Sequence, residues 1–172
     1  YDRQVAFADD GVYLYVYADK EAFESIWLQY LSLDADYAYA DERLVHALSG
    51  PSQAHMQAAL EAARGIRILR QDPWETLCSF IISQNNNIPR IRKIIEALCR
   101  QYGQEIPGGY AFPTPNALAG AGQDAIFACG AGFRAAYIWE AAEKIAGGAF
   151  SLAAVQQAQS YEEANQLLCS LR

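Results

Sequence analysis

The sequence predicts a mainly α-helical protein that begins with a short antiparallel β-hairpin. Two patterns carry this prediction. From Lys20 onward, apolar residues recur at intervals of three and four, which is the spacing of one face of an α-helix. Before Lys20, aliphatic residues alternate with tyrosines after an Asp-Gly pair, which is typical of a strand that follows a tight turn.

The hairpin is predicted from residues 4–8 and 12–17, which flank Asp9-Asp10-Gly11. An Asp-Gly pair accepts the positive φ angles that tight hairpin turns require. Because an isolated hairpin is only marginally stable in water, we expect residues 1–20 to be the remnant of an N-terminal α+β domain. The chain also starts at Tyr1 without an initiator methionine, so upstream strands are expected in the natural protein.

Two consecutive helices are expected to form the centre of the helical part. Pro73 stands where the first turn of a helix accepts proline, and the apolar stripe from there to Ile82 is broad enough for a central core helix. The next helix is predicted from Ile88 to Tyr102, with one apolar face and one charged face. Gly103 is expected to end it.

The rest of the chain is predicted to hold a loop and shorter helices. Residues 104–116 are rich in glycine and proline and are expected to form the loop. Helices are then expected at residues 122–129, 135–146 and 151–158. The last helix starts with the capping box Ser160-Tyr161-Glu162-Glu163, and its apolar stripe reaches Arg172 without a closing cap. We therefore expect a helical domain over residues 21–172 that is incomplete at its C terminus.

Composition excludes several classes of protein. With 172 residues and 52% hydrophobic content, the chain can bury a substantial core. No apolar run reaches the roughly 18 residues of a membrane span, and nothing at the start reads as a signal peptide. The four cysteines are far apart, which predicts neither a zinc site nor a disulfide framework. We expect a protein without metal or cofactor, not secreted, in the reduced cytoplasm or nucleus.

Charge is distributed unevenly along the chain. The formal net charge is −7, which argues against a nucleic-acid partner. Residues 64–100 nevertheless carry seven basic and three acidic groups, so this one segment is positive. A localised contact with phosphates would produce this pattern, and so would a solvated helix face. Charge alone leaves both interpretations open.

A run of three amides, Asn85-Asn86-Asn87, separates the two central helices. Asparagine neither buries apolar surface nor favours a helix interior, so these residues are present for capping or for recognition. Asn87 is a suitable N-cap for the second helix, and Asn85 and Asn86 can close the first. Capping would therefore explain part of the run without any binding role.

A second cluster, Gly130-Ala131-Gly132-Phe133-Arg134-Ala135, matches the dinucleotide-binding pattern G-x-G-x-x-A. That fingerprint requires a preceding strand and an acidic residue about 20 positions further on, and this cluster lies among helical patterns. The fingerprint is therefore rejected. The remaining structural interpretation is a glycine-rich connection between helices with Phe133 in the core. It accounts poorly for Arg134.

Both clusters resemble those of one family. Residues 72–87, Asp-Pro-Trp-Glu-Thr-Leu-Cys-Ser-Phe-Ile-Ile-Ser-Gln-Asn-Asn-Asn, resemble the 8-oxoguanine DNA glycosylases of the helix-hairpin-helix superfamily. The glycine cluster is similar to their Gly-x-Gly-Tyr-Arg-Ala segment, with Phe133 in place of tyrosine. Similarity covers residues 66–102, 110–146 and 159–171. The resemblance implies a helical DNA-glycosylase domain that removes 8-oxoguanine opposite cytosine by base flipping.

The resemblance also implies roles for individual residues. Asn85 would fill the hole that the extruded base leaves, and Phe133 would wedge beside the abandoned partner base. Arg90 and Arg134 would donate hydrogen bonds to the O2 and N3 acceptors of the estranged cytosine. Both arginines are expected to be exposed. Possible phosphate contacts are Arg92 and Lys93. Asn86 and Asn87 are expected to be structural.

The implied partner is double-stranded DNA containing oxidised guanine, bound by a monomer. Related endonucleases carry an iron-sulfur loop with four cysteines, and that spacing does not occur in this sequence, so no cluster is expected. Family members continue into a Leu-Pro-Gly-x-Gly hairpin, a nucleophilic lysine and an aspartate. Lys20, Lys93 and Lys144 all lie in segments that match non-catalytic parts of the family. We therefore expect the nucleophilic lysine and the aspartate beyond Arg172.

The chain is thus interpreted as a fragment of a bifunctional glycosylase and AP lyase. It would retain recognition of the opposite base and would be inactive alone. Two other interpretations stay open. A non-catalytic helical module for protein interaction or scaffolding would explain the acidic surface. A glycosylase of a different lesion range would share both clusters.

Overall fold

A computed structural model describes residues 5–7, 14–16 and 20–171 of the protein. The described part is mainly α-helical with short antiparallel strand pairs, which confirms the predicted fold class. The chain forms two compact units, which divide between Gln71 and Asp72. The predicted domain boundary after residue 20 stays a prediction.

The N-terminal unit contains one strand pair and several helices. Strands β1 (Val5–Phe7) and β2 (Leu14–Val16) are antiparallel, with Ala6 opposite Tyr15. This agrees with the predicted hairpin, although its Asp-Gly turn lies outside the described residues. A continuous helical segment follows, made of α1 (Lys20–Ala22), a π-helical turn (Phe23–Trp27) and α2 (Leu28–Tyr30).

Two longer helices complete the N-terminal unit, α3 (Tyr37–His46) and α4 (Pro51–Ala62). Asp36 caps α3, because its side chain accepts a hydrogen bond from the Tyr39 amide at 3.0 Å. After α4, the Arg70 side chain pairs with Asp34 at 3.0 Å, and the Arg67 guanidinium lies 4.6 Å from the centre of the Tyr37 ring.

The C-terminal unit holds most of the helices. In chain order they are α5 (Pro73–Ser83), α6 (Ile88–Tyr102), α7 (Pro115–Ala121), α8 (Gln123–Ile126), α9 (Arg134–Ala146), α10 (Leu152–Gln156) and α11 (Tyr161–Cys169). A π-helical turn (Phe127–Ala131) joins α8 to the connection before α9. Between α6 and α7 lies a short strand pair, β3 (Glu105–Ile106) and β4 (Gly109–Tyr110).

The core of the C-terminal unit lies between α5, α6, α7, α8 and α9. Its most completely buried side chains are Cys78, Ile82, Ile94, Leu98, Leu118, Ile126 and Ile138. Each fully buried aliphatic side chain contributes about 1.5 to 3 kcal/mol. The buried Trp74 donates its indole N–H to the Pro113 carbonyl at 2.9 Å, which ties the start of α5 to the segment before α7. The prediction of α5 as a central core helix is confirmed.

The predicted loop over residues 104–116 contains the strand pair β3 and β4, which the sequence prediction missed. Pro107 and Gly108 occupy the two middle positions of the turn, and Gly108 has a φ of 86°. Proline followed by a glycine with positive φ is typical of a type II turn. The signal was therefore present, but strands of two residues are too short for any alternating pattern to reveal them.

Gly103 ends α6 as predicted, for a different reason from the one expected. Its φ of −81° is one that any residue adopts. A β-carbon at this position would instead lie 2.0 Å from the Ala111 carbonyl oxygen, so only glycine permits this close approach.

The capping box of α11 forms in a modified way. The Ser160 hydroxyl accepts from the Glu163 amide at 3.1 Å, as predicted, but the Glu163 carboxylate accepts from the amide of Gln159 rather than of Ser160. Within the described residues, no helix has the length and apolar character needed to cross a membrane.

Candidate nucleic-acid interface

The connection between α5 and α6, Gln84–Asn87, is here called the asparagine loop. Asn87 caps α6, because its side-chain oxygen accepts from the Arg90 amide at 3.0 Å. Asn86 closes α5, because its side-chain amide donates to the Ile82 carbonyl at 3.0 Å. These two amides are structural, as expected.

Asn85 differs from its two neighbours. Its side chain is exposed and has no hydrogen-bond partner among the described residues. Its backbone φ is 48°, in the left-handed region that asparagine tolerates better than most residues. Its own carbonyl oxygen accepts a hydrogen bond from Arg134 at 3.0 Å. The backbone of Asn85 is therefore fixed, and its side-chain amide remains available to a partner.

The first turns of α6 carry the free cations of this region. Arg90, Arg92 and Lys93 are exposed, and none forms an ion pair with a described residue. The amino end of a helix adds a partial positive charge to this surface. The surface is therefore suited to an anion, and the phosphate contacts expected of Arg92 and Lys93 stay a prediction.

The connection into α9, residues 130–133, is here called the glycine turn. Gly130 and Gly132 have φ angles of 90° and 60°, which L-residues with side chains rarely adopt. The turn leaves the Phe133 ring 60% exposed. The interpretation that places Phe133 in the core is therefore wrong.

Tyr137 lies one helical turn after Phe133, and the two rings meet edge to face with 6.5 Å between their centroids. Tyr137 is itself 51% exposed. Sequence reasoning missed this aromatic neighbour. Its signal was the spacing of four residues on a helix, which places Tyr137 on the same face as Phe133.

Arg134 is buried, with 4% of its surface exposed. Its Nε donates to the Gln84 carbonyl at 2.9 Å, and its Nη2 donates to the carbonyls of Gln84 and Asn85. A longer contact of 3.5 Å joins Nη1 to the Ala131 carbonyl. The expectation that Arg134 is exposed is therefore wrong. The last carbonyls of a helix lack partners within it. The Arg134 guanidinium donates hydrogen bonds to the carbonyls of Gln84 and Asn85, just beyond the end of α5.

These contacts bring three of the four predicted base-contacting residues together. The Arg134 guanidinium lies 4.5 Å from the centre of the Phe133 ring while it binds the carbonyl of Asn85. Arg90 is linked to the asparagine loop by its backbone amide, which donates to the side-chain oxygen of Asn87. Within the described residues, no side-chain hydrogen bond or ring contact joins Arg90 to Phe133 or Arg134.

No activated nucleophile is present in the part of the chain that the structure describes. Lys20 pairs with Glu24 at the surface, Lys93 is exposed, and Lys144 donates to the Leu171 carbonyl at 2.6 Å. Burial raises the pKa of the Cys78 thiol, and nearby carboxylates raise it further. The pKa values of the Cys99 and Cys129 thiols are also raised by burial.

The same residues hold no cluster of three or more histidine, cysteine, aspartate or glutamate side chains that could bind a metal ion. What the site offers is therefore an exposed ring, a free amide and several cations, which are groups that bind rather than react.

Comparison with known proteins shows the family of the chain. Residues 4–77 match the family described as 8-oxoguanine DNA glycosylase, N-terminal domain, and residues 78–168 match the HhH-GPD superfamily base excision DNA repair proteins. The N-glycosylase/DNA lyase of Saccharomyces cerevisiae is 44% identical over 88 residues, covering 48% of this chain and 23% of that protein. The N-glycosylase/DNA lyase OGG1 of Arabidopsis thaliana is 40% identical over 80 residues, covering 44% and 22%.

Solved structures share the fold. The apo 8-oxoguanine glycosylase/lyase of Clostridium acetobutylicum superposes with a TM-score of 0.84 at 32% identity, over 98% of this chain and 58% of that one. MBOgg1 in complex with a low-affinity DNA ligand gives 0.80 at 36% identity, over 99% and 57%. The chain thus spans a little over half the length of these relatives. The 3-methyladenine DNA glycosylase of Archaeoglobus fulgidus, at 18% identity and 0.54, shares the fold alone.

The family match over residues 78–168 covers more than half of the chain, and it includes the asparagine loop and the glycine turn. The resemblance on which the sequence analysis rests is confirmed. The chain therefore belongs to the HhH-GPD superfamily of base excision DNA repair proteins, within which the relatives named above include 8-oxoguanine DNA glycosylases.

Proposed function

We propose that this chain is the opposite-base recognition part of an 8-oxoguanine DNA glycosylase and AP lyase that acts in base-excision repair. One observation carries the proposal: the buried Arg134 contacts both the exposed Phe133 ring and the backbone carbonyl of Asn85, whose side chain is exposed. A solved relative supports it, the Clostridium acetobutylicum enzyme bound to double-stranded DNA with cytosine opposite 8-oxoG, at 31% identity and a TM-score of 0.81.

The proposed mechanism follows from base flipping. Extruding a base costs a few kcal/mol of stacking, and the enzyme must fill the space that the base leaves. The exposed Phe133 ring presents a stacking surface to the abandoned partner base, and Asn85 presents an amide to the hole. Neither side chain forms a hydrogen bond within the described residues, so neither has to break one before it binds.

Cytosine would be selected through its O2 and N3 acceptors. The Arg90 side chain is exposed without an ion pair among the described residues, so its donors are available. Arg134 has committed its Nε and Nη2 groups to main-chain carbonyls. Its Nη1 group, which has a contact of 3.5 Å to Ala131, is the donor it can offer to a base. A direct contact of Arg134 with cytosine stays a prediction.

Phosphate contacts are proposed for Arg92 and Lys93, next to Arg90 on α6. Each neutralised phosphate releases counterions, so affinity should fall as salt rises. Because the net charge of the chain is −7, the rest of the surface opposes DNA binding. Binding by the 172-residue chain alone should therefore be weak and strongly dependent on salt.

Catalysis is proposed to depend on a nucleophilic lysine and an aspartate beyond Arg172. The observation in support is the surroundings of the two lysines in the C-terminal unit: Lys93 is exposed on α6, and Lys144 donates to the Leu171 carbonyl. We further propose that the intact protein acts as a monomer without a cofactor or iron-sulfur cluster, in a bacterial cytoplasm or a eukaryotic nucleus.

Borohydride trapping tests the proposal. Full-length protein, incubated with duplex that carries 8-oxoguanine opposite cytosine, should yield a covalent adduct after reduction, because an amine nucleophile forms a Schiff base with the sugar. The 172-residue chain should yield none. An adduct on the short chain would contradict the placement of the lysine.

The same assay separates the other interpretations. A scaffold module would yield no adduct at full length and would bind lesion duplex no better than undamaged duplex. A glycosylase of a different range would be trapped on another lesion in a panel. Either result would overturn the proposed substrate.

A further inference from the structure

The buried guanidinium of Arg134 contacts both the asparagine loop and the glycine turn. Its edge binds the main-chain carbonyls of Gln84 and Asn85, which lie about 50 residues earlier in the sequence. Its face lies 4.5 Å from the centre of the Phe133 ring. One planar cation therefore joins the backbone of one DNA-facing residue to the ring of another.

This geometry constrains Asn85 through its backbone. A non-glycine residue at a φ of 48° occupies a sparsely populated conformation, which persists where the surroundings hold it. The hydrogen bond of 3.0 Å from Nη2 to the Asn85 carbonyl supplies such a restraint. Since the carbonyl and the side chain leave the same short segment, fixing one limits the direction of the other.

Phe133 is constrained through its ring. An aromatic side chain with 60% of its surface exposed has few packing neighbours to hold it. The guanidinium on its face and the edge of Tyr137 are the two ring contacts found in the described residues. A cation on the face of an aromatic ring is favourable and also fixes the plane of the ring.

We propose that Arg134 is a positioning residue, which sets the geometry of Asn85 and Phe133 together so that both enter the duplex as one preformed unit. This inference rests on the proposed function, because it concerns the same site. It assigns to Arg134 a role through two other side chains, separate from any contact of its own with a base.

A double-mutant cycle in the full-length protein tests the proposal. The probe is a duplex with a tetrahydrofuran abasic analogue opposite cytosine, and affinity is measured by fluorescence anisotropy. Phe133→Ala should weaken binding about tenfold when Arg134 is present, the size of one aromatic stacking contact. In the Arg134→Lys background, the same change should cost less than about twofold, because an ammonium cannot bind two carbonyls and face a ring at once.

Asn85→Gly should behave in the same way, since glycine accepts the φ of Asn85 and removes only the side chain. Arg100→Lys is the matched control: Arg100 is exposed near the far end of α6, and in that background Phe133→Ala should keep its full effect. If the effect of Arg134→Lys on affinity adds to that of Phe133→Ala and to that of Asn85→Gly, Arg134 acts independently of both residues. That result would overturn the proposal.

Amide hydrogen exchange provides a second readout that needs neither DNA nor a change at Arg134. In Phe133→Ala, loss of the ring contact should loosen the guanidinium, so exchange at the Asn87 and Arg90 amides should rise about two- to fivefold, the size of one cation–π contact. Exchange at Ile94, in the buried part of α6, should not change. Unchanged exchange at Asn87 and Arg90 would overturn the proposal.

The two measurements also distinguish failure of this inference from failure of the proposed function. If the wild-type protein does not prefer the abasic duplex over undamaged duplex, the proposed function fails. The exchange measurement then still decides whether Arg134 connects the two parts of the site.

Discussion

Arg90 and Arg134 occupy comparable positions in two regions of the molecule, yet their surroundings are opposite. Each lies in the first turn of a helix, α6 or α9, directly after a connection rich in small or polar residues. At α6, Asn87 already caps the helix, and the Arg90 side chain faces solvent. At α9, the Arg134 side chain is buried against the carbonyls of the asparagine loop.

The difference shows what decides the role of an arginine in such a motif. A cation next to unsatisfied carbonyls is used to hold the protein together, whereas one with no free acceptor beside it stays available to a partner. The two regions share an arginine in the first turn of a helix. They differ in the local supply of free hydrogen-bond acceptors.

The largest expected effect concerns stability. Arg134→Ala should lower the free energy of unfolding by about 2 to 4 kcal/mol, because it leaves several main-chain carbonyls without their charged donor. The melting temperature should fall by roughly 5 to 15 °C in a domain of this size. Thermal unfolding followed by circular dichroism measures this, with Arg90→Ala as the control at within about 0.5 kcal/mol of wild type. Equal losses for the two variants would show that Arg90 and Arg134 contribute equally to stability.

The next effect concerns specificity and should have the opposite pattern. Arg90→Ala removes donors aimed at the estranged cytosine, and one base-edge contact is worth about 1 to 3 kcal/mol of discrimination. The preference for excision opposite cytosine should therefore fall about tenfold, without loss of stability. Excision rates opposite each of the four bases decide it, with Arg100→Ala as the control. A variant that keeps the cytosine preference would assign Arg90 to the solvated surface.

The smallest effect separates two neighbours in the asparagine loop. Asn87→Ala removes an N-cap and should cost about 1 kcal/mol of stability. Asn85→Gly should cost almost none, because glycine adopts the φ of 48° without strain, but it should weaken binding to lesion duplex more than to undamaged duplex. Unfolding and binding measured on both variants test this. If Asn85→Gly destabilises the protein as much as Asn87→Ala, both residues are structural.

Features set by neighbouring residues could be predicted from the sequence. The cap at Asn87, the helix after Pro73 and the apolar face of α6 depend on contacts within a few residues, and local patterns contain that information. The burial of Arg134 could not, because its partners lie about 50 residues away in sequence. The family resemblance singled out Arg134, but it contained no information about which way the guanidinium points.

Glycine at position 103 shows how much can depend on one absent atom. The Ala111 carbonyl oxygen occupies the space that a β-carbon would need, and the obstacle is main chain, so no change of rotamer could relieve it. Two residues after Ala111, Pro113 accepts the hydrogen bond of Trp74. The chain therefore turns sharply after α6, and this turn places the Pro113 carbonyl next to the start of α5. In a library of random substitutions, position 103 should be among the least permissive in the C-terminal unit, although it lies outside the site and carries no chemical group.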